Sequence, residues 1–246
     1  MDYDALLNLG TELGYKLVLS GAEIYRVEES VLRLLTAYGL QPQVFALPSC
    51  LIVSVNTPAG HPITQMRRVP PHGTDIELLE RCNDLCRQLC REVPPLPEAA
   101  ELVGKLGQDH RSYPTRVLLL GYAAAAAFFT AFYGGTLLDT LCGLAVGVWM
   151  LWASPRLRFN NLFQTLIGAA IASLLALVLV HMKIGGQLEA ITIGTLMVLV
   201  PGMALTNAMR EIMVGDIFSG LSRTAESILT ATAIALGVMV SLAIGN

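Results

Sequence analysis

Pro201 and Gly202 stand side by side inside a charge-free run from Ala190 to Met209. Roughly 10 residues, about 15 Å at the rise of a helix, separate the pair from either end of the run, which puts it near the middle of a bilayer. Proline removes a backbone donor and clashes with the carbonyl one turn back, and glycine loosens the same turn, so a kink or break is expected there. A break at that depth can turn backbone dipoles toward a substrate or ion, whereas a plain kink is satisfied by neighbouring helices. Thr206, Asn207, Arg210 and Glu211 follow within three turns. Asn207 shares a helix face with Arg210 and Glu211, which lie three and four residues on. Beyond them Gly215-Asp216, Ser219-Gly220, Arg223 and Glu226 read as a glycine-punctuated loop. Charges of both signs, an amide and hydroxyls beside a broken helix suit the binding and passage of a small polar solute. A solvated loop is the plainer reading.

Asp139 is the single acidic residue within an apolar stretch, about one turn from its end. A carboxylate in lipid is costly and a functional candidate by default; at that shallow depth it could equally reach water or cap a helix N-terminus. Cys82, Cys86 and Cys90 recur every four residues on one helix face with no histidine nearby. Core packing by small thiols suits that pattern better than zinc, so no metal is expected. His61 and His72 near Ser49 or Cys50 carry no recognisable nucleophile motif.

The elements that must hold these residues follow from composition. Of the 246 residues 54% are hydrophobic and 14% charged, too apolar for an ordinary soluble chain and far from a disordered one. The net charge of -3 offers no basic surface for nucleic acid. Residues 1–112 carry 24 of the 35 charges, which divides the chain into a soluble-like domain (1–112) and a membrane domain (113–246). In the second, five spans are expected, near 117–133, 135–153, 162–180, 190–209 and 227–244, the second closed by Ser154-Pro155. Gly143, Gly147 and the alanines 123–127 suggest close helix packing. Arg111, Arg116, Arg156, Arg158, Arg210 and Arg223 fall on one side and Lys183 on the other, so the N-terminal domain is expected in the cytoplasm and the C-terminus outside. Residues 1–30 are too polar for a signal peptide.

In the soluble half, 3–20 and 22–38 read as amphipathic helices broken by Gly21 and Gly39. Strands are expected at 44–47, 51–56 and 62–69, then helices over 75–93 and 98–106, a small α+β domain large enough for its own core.

Two strings, LGYKLVLSGAEIYRVEESVLRLLTAYGL and PGMALTNAMREIMVGDIFSGLSRTAESILTATAIALGV, resemble the N-terminal half of the threonine/serine exporter family of bacterial membrane proteins. The resemblance covers nearly the whole chain in domain order as well as motif. It marks Gly21, Ala22, Glu23, Arg26 and Glu28 in the soluble half as characteristic positions. In the membrane half it marks Pro201, Gly202, Asn207, Arg210, Gly215, Asp216, Ser219, Gly220, Arg223 and Glu226. It implies export of small polar metabolites, threonine and serine in the founding type and succinate in a two-protein type. Fused members continue into a second five-helix half, which is absent here, so the expected partner is a second small multi-span membrane protein, with self-association as an addition.

The leading expectation is therefore a subunit of a secondary transporter in the bacterial inner membrane. It would move a small carboxylate-bearing metabolite outward, coupled to protons, with no cofactor and no enzymatic step. The rivals are a membrane-anchored hydrolase-like enzyme and a non-transporting regulatory subunit. Five spans with internal polar and glycine features exceed what an anchor needs.

Overall fold

The computed structural model describes residues 2–58, 60–107, 113–153 and 160–245, in two compact units. Arg111, Ser154-Pro155, Arg156 and Arg158, used above for orientation and for the end of a span, lie outside the described residues.

The first unit comprises Met1–Arg111 and, from far along the chain, Asn207–Ser222. It begins with α1 (Tyr3–Leu19), where the Asp2 side chain accepts the Ala5 N–H at 3.0 Å, and α2 (Ile24–Ala37). Strands β1 (Pro42–Leu47), β2 (Cys50–Asn56) and β3 (Pro62–Arg68) form an antiparallel sheet in that order, with Val44 opposite Val53 and Val53 opposite Gln65. Leu51, Val53 and Val55 alternate inward from the central strand, as a half-buried strand requires. They meet Leu13, Leu17, Val31 and Leu35 in one core. Gly14 lets α1 lie close to the sheet: a Cβ there would stand 2.5 Å from Leu51 Cδ2 and 2.7 Å from Val31 Cγ2.

The helices α3 (Ile76–Glu92), capped by Asp75 on the Leu78 N–H at 3.0 Å, and α4 (Leu96–Lys105) complete the N-terminal part of this unit. Cys82 and Cys86 are buried in the core, and burial pushes both thiols up to about 12. Each element lies within a few residues of its expected place. The breakers act as read: Gly21 and Gly39 both take left-handed backbone, φ +81° and +82°.

The second unit holds Ser112–Thr206 and Arg223–Asn246. Its helices are α5 (Thr115–Phe132), α6 (Leu137–Ala153), α7 (Asn161–His181), α8 (Leu188–Leu196), the start of α9 (Gly202–Val214) and the greater part of α10 (Ile217–Gly245). Among the described residues three of these, α5, α7 and α10, are long and apolar enough to cross a membrane. The expectation of five is met by three for two local reasons. Helix α6 has 17 described residues, and the fourth run is divided, with α8 ending at Leu196 and α9 starting at Gly202. The break is closed by tight turns, Leu199 N–H to Leu196 O at 2.8 Å and Val200 N–H to Met197 O at 3.3 Å.

The expected loop over 215–226 is also corrected. Helix α10 begins at Ile217, so Ser219, Gly220, Arg223 and Glu226 are helical and only Gly215-Asp216 connects. Gly215 takes φ +102°, and Asp216 starts α10 by accepting the Ser219 N–H at 3.4 Å. Gly220 serves a close helix approach, not a turn: a Cβ there would lie 2.8 Å from Ala208 O.

Inside the second unit the small residues pack helix on helix. A Cβ on Gly147 would stand 2.8 Å from both Tyr122 O and Ala126 Cβ, so the 143–147 string lies against the alanines of α5.

Candidate functional site

The corner between α1 and α2 is built by its glycine. Gly21 N–H donates to Val18 O and Ala22 N–H to Leu17 O, the pairing that closes a helix on a left-handed residue. A Cβ on Gly21 would meet Thr74 at 3.1 Å. The turn leaves Glu23 in extended backbone immediately before Ile24, the first residue of α2, with Ala22 and Glu23 both buried.

Two consecutive residues of α9 grip that corner. Arg210 Nη1 donates to Glu23 Oε1, and Glu211 Oε1 accepts the Ile24 N–H at 3.1 Å. Glu23 Oε2 receives Arg26 Nε at 2.7 Å and the Tyr25 hydroxyl at 2.8 Å. The Glu23 side chain is 7% exposed and Glu211 is fully buried, so both carboxylates need these donors. Glu211 also sits where the N–H groups and dipole of α2 favour negative charge.

A second contact of the same kind lies one turn along. Glu28 Oε1 accepts the Ala46 N–H at 2.8 Å. Burial holds its carboxyl above the usual glutamate range, the Ala46 N–H draws it down, and the Asp216 charge raises it further. Asp216 N–H in turn donates to Glu211 O at 2.9 Å, which ties the end of α9 to the start of α10. The Ser219 hydroxyl is buried and meets no hydrogen-bond partner among the described residues.

The structure thus gathers Gly21, Ala22, Glu23, Arg26 and Glu28 with Arg210, Glu211 and Asp216 in one unit. It does not gather every expected site residue there. Asn207 is in that unit and half-buried, but Thr206, which spends its hydroxyl on Gly202 O at 2.9 Å, belongs to the second unit with Pro201 and Gly202, as do Arg223 and the exposed Glu226.

Asp139 also lies in the second unit, fully buried, with four donors on its carboxylate. Oδ2 accepts the Thr136 N–H at 2.9 Å and hydroxyl at 2.7 Å; Oδ1 accepts the Gly186 and Gln187 N–H groups at 2.6 and 3.1 Å. The Asp139 N–H returns a bond to Thr136 Oγ1 at 3.3 Å, which completes a capping box at the start of α6. The aspartate therefore joins the start of α6 to the start of α8 and does not reach water.

Reading the sequence missed Thr136, Gly186, Gln187 and Tyr25. The Thr-x-x-Asp spacing at 136–139 was a usable signal for the first. None pointed to Tyr25, to the loop donors, or to a pair such as Glu23 and Arg210, 187 residues apart.

Relatives place these motifs. The chain is 25% identical over 96% of its length to a Mycobacterium tuberculosis protein named "Probable threonine/serine exporter", spanning 46% of that protein. It is 22% identical over 93% of its length to an uncharacterized Schizosaccharomyces pombe protein, spanning 31% of it. It is 22% identical over 90% of its length to pheromone-regulated membrane protein 10 of Yarrowia lipolytica, spanning 19% of it. The chain thus spans less than half of each of these relatives. No solved structure matches it. The threonine/serine exporter family model matches residues 8–245, both motif regions included, and the chain belongs to the threonine/serine exporter family.

Proposed function

We propose that the chain is a subunit of a secondary transporter that exports small carboxylate-bearing metabolites, amino acids of the threonine/serine kind or dicarboxylates of the succinate kind, driven by the proton gradient. The observation that carries this reading is the interruption of the fourth apolar run at 197–201, followed within three turns by the Arg210–Glu211 grip on the α1–α2 corner. Broken helices that face one another at the midplane are how many secondary transporters hold a solute. Family membership supports export, and the name of the mycobacterial relative supports the amino-acid class.

In this account the chain crosses the membrane five times, with α6 as a short span of about 25 Å and α8 with its broken continuation as the fourth. The N-terminal unit lies in the cytoplasm, Lys183 and the C-terminus lie outside, and the membrane is the bacterial inner membrane. Asn207–Ser222 packs into the same unit as the N-terminal domain, which supports a shared side for Arg210 and that domain. A second small multi-span membrane protein supplies the opposing broken helix, as in transporters whose solute site lies between two repeats. The grip of Arg210 and Glu211 lets the cytoplasmic unit sense or set the broken helix.

The reading is tested in cells loaded with a threonine-containing dipeptide. Expression of the chain with its partner is expected to lower intracellular threonine, and a Pro201→Ala/Gly202→Ala variant, which favours a continuous helix, is expected to lose that effect. Full efflux by the variant would refute the role given to the break.

A further inference from the structure

Arginines from two helices face one another across a cleft of about 620 Å³ between α2 and α3 in the first unit. Arg26 and Arg33 come from α2, and Arg87 and Arg91 from α3. Glu29 is the one acidic residue on the walls. This is uneven placement, because residues 1–112 carry 10 basic and 14 acidic side chains and four of the 10 line this one groove.

Arg26 is held by the buried Glu23 carboxylate at 2.7 Å, whereas the carboxylate neighbours of the other three arginines do not neutralise the cleft firmly. Arg33 meets Glu29 at 2.5 Å, Arg91 meets Glu92 at 3.3 Å, and Arg87 pairs with Asp84, with all six side chains between 49% and 78% exposed. Exposed pairs of this kind hold weakly and give way to a ligand that offers better geometry. Arg87 and Arg91 are four apart on one helix, an arrangement of like charges that disfavours the helix unless an anion lies between them.

Ser30, Asn83, Cys86 and Cys90 add hydroxyl, amide and thiol groups to the lining. Cys86 Sγ donates to Ser30 O at 3.6 Å, and burial keeps the Cys86 thiol protonated at neutral pH. Cys86 therefore presents no thiolate to an anion in the cleft. Guanidinium forks match phosphate oxygens bidentately, and the cleft volume is of the size that small-molecule sites have. The three guanidinium forks of Arg33, Arg87 and Arg91 can take roughly six acceptor oxygens in pairs, a number that two linked phosphates supply at their termini and a dicarboxylate does not.

We propose that the α2–α3 cleft binds a small phosphorylated anion with two linked phosphate groups, and that this site is separate from the path of the exported solute. The cleft makes the cytoplasmic unit a receptor for such an anion.

The test is titration of the purified full chain in detergent with inorganic pyrophosphate, followed by calorimetry in magnesium-free buffer. Saturable binding is expected, weaker as salt rises, with succinate at least tenfold weaker. Arg33→Gln/Arg87→Gln is expected to weaken pyrophosphate binding at least tenfold, while Arg81→Gln, on α3 but outside the cleft, leaves it unchanged. The substituted side chains are exposed and their melting temperatures should match the parent, which separates lost binding from lost folding. Short-chain phosphatidic acid added as competitor distinguishes a lipid headgroup, which would displace pyrophosphate, from a soluble ligand, which would leave the headgroup without effect. Absence of saturable binding, equal binding by the double variant, or succinate as strong as pyrophosphate would each overturn the proposal. Because the readout is binding and not flux, a failure here is distinct from a failure of the transport reading.

Discussion

Arg210 pairs with the buried carboxylate of Glu23, 187 residues earlier in the chain, while its neighbour Glu211 takes the first N–H of α2. A segment that lies between apolar helices in sequence is thereby a working part of the first unit. The two strings by which the chain resembles its family are in contact for this reason.

The pair should be measurable as a coupling. Glu23→Ala and Arg210→Ala, combined in a double-mutant cycle by denaturant unfolding in detergent, are expected to give an interaction of about 1–2 kcal/mol. Arg210 is half exposed, so its removal alone should leave the protein abundant in the membrane while efflux falls. Degradation of the Arg210→Ala protein would make the residue purely structural.

Glu211 acts through its acceptor oxygen on Ile24. Glu211→Gln keeps an acceptor, whereas Glu211→Ala leaves a buried N–H without one, which costs about 1–3 kcal/mol. Unfolding midpoints should therefore rank parent, then Gln, then Ala, and an Ala variant as stable as the Gln variant would contradict the assignment.

Glu28 gives a pH signature. Its native carboxyl is held above the unfolded value, so its contribution favours the folded state at acid pH and is lost as pH rises through the raised native value. Glu28→Gln, which resembles the protonated form and keeps the acceptor for Ala46, is expected to melt higher than the parent at neutral pH. The difference should vanish below the ordinary glutamate range. A gain that persists at low pH would show that charge is not the cause.

Asp139 is expected to behave as a positioning residue. In Asp139→Asn one carboxylate oxygen becomes an NH2 group facing N–H or O–H donors, a loss of about 2–4 kcal/mol counted over two bonds. The variant should melt lower and be recovered in smaller yield. Normal stability with lost flux would return the residue to the solute path.

Much of the fold was legible because its signals are local. Gly21, Gly39 and Asp75 mark helix ends through backbone geometry and capping, and Leu51, Val53 and Val55 alternate as an inward strand face must. The break at Pro201-Gly202 was legible for the same reason. The start of α10 was not, because Gly220 reads as a turn residue in sequence, whereas its lack of a Cβ serves the approach of Ala208. Glu23, Arg210 and Glu211 each carried a signal, but their union depends on how α9 folds back into the first unit. Charge patterning at helical spacing could have shown Arg26, Arg33, Arg87 and Arg91 to lie on two helix faces, but only packing sets those faces opposite each other.

Export by a two-part transporter is tested most directly by reconstitution into liposomes with a pH gradient, using the chain alone and with its partner. Labelled threonine, serine or succinate is loaded and its loss is followed. The account predicts substrate-specific flux that requires both proteins and collapses with the gradient. Specific flux from this chain alone, shown to be monomeric, or the same flux after the gradient is dissipated, would contradict it.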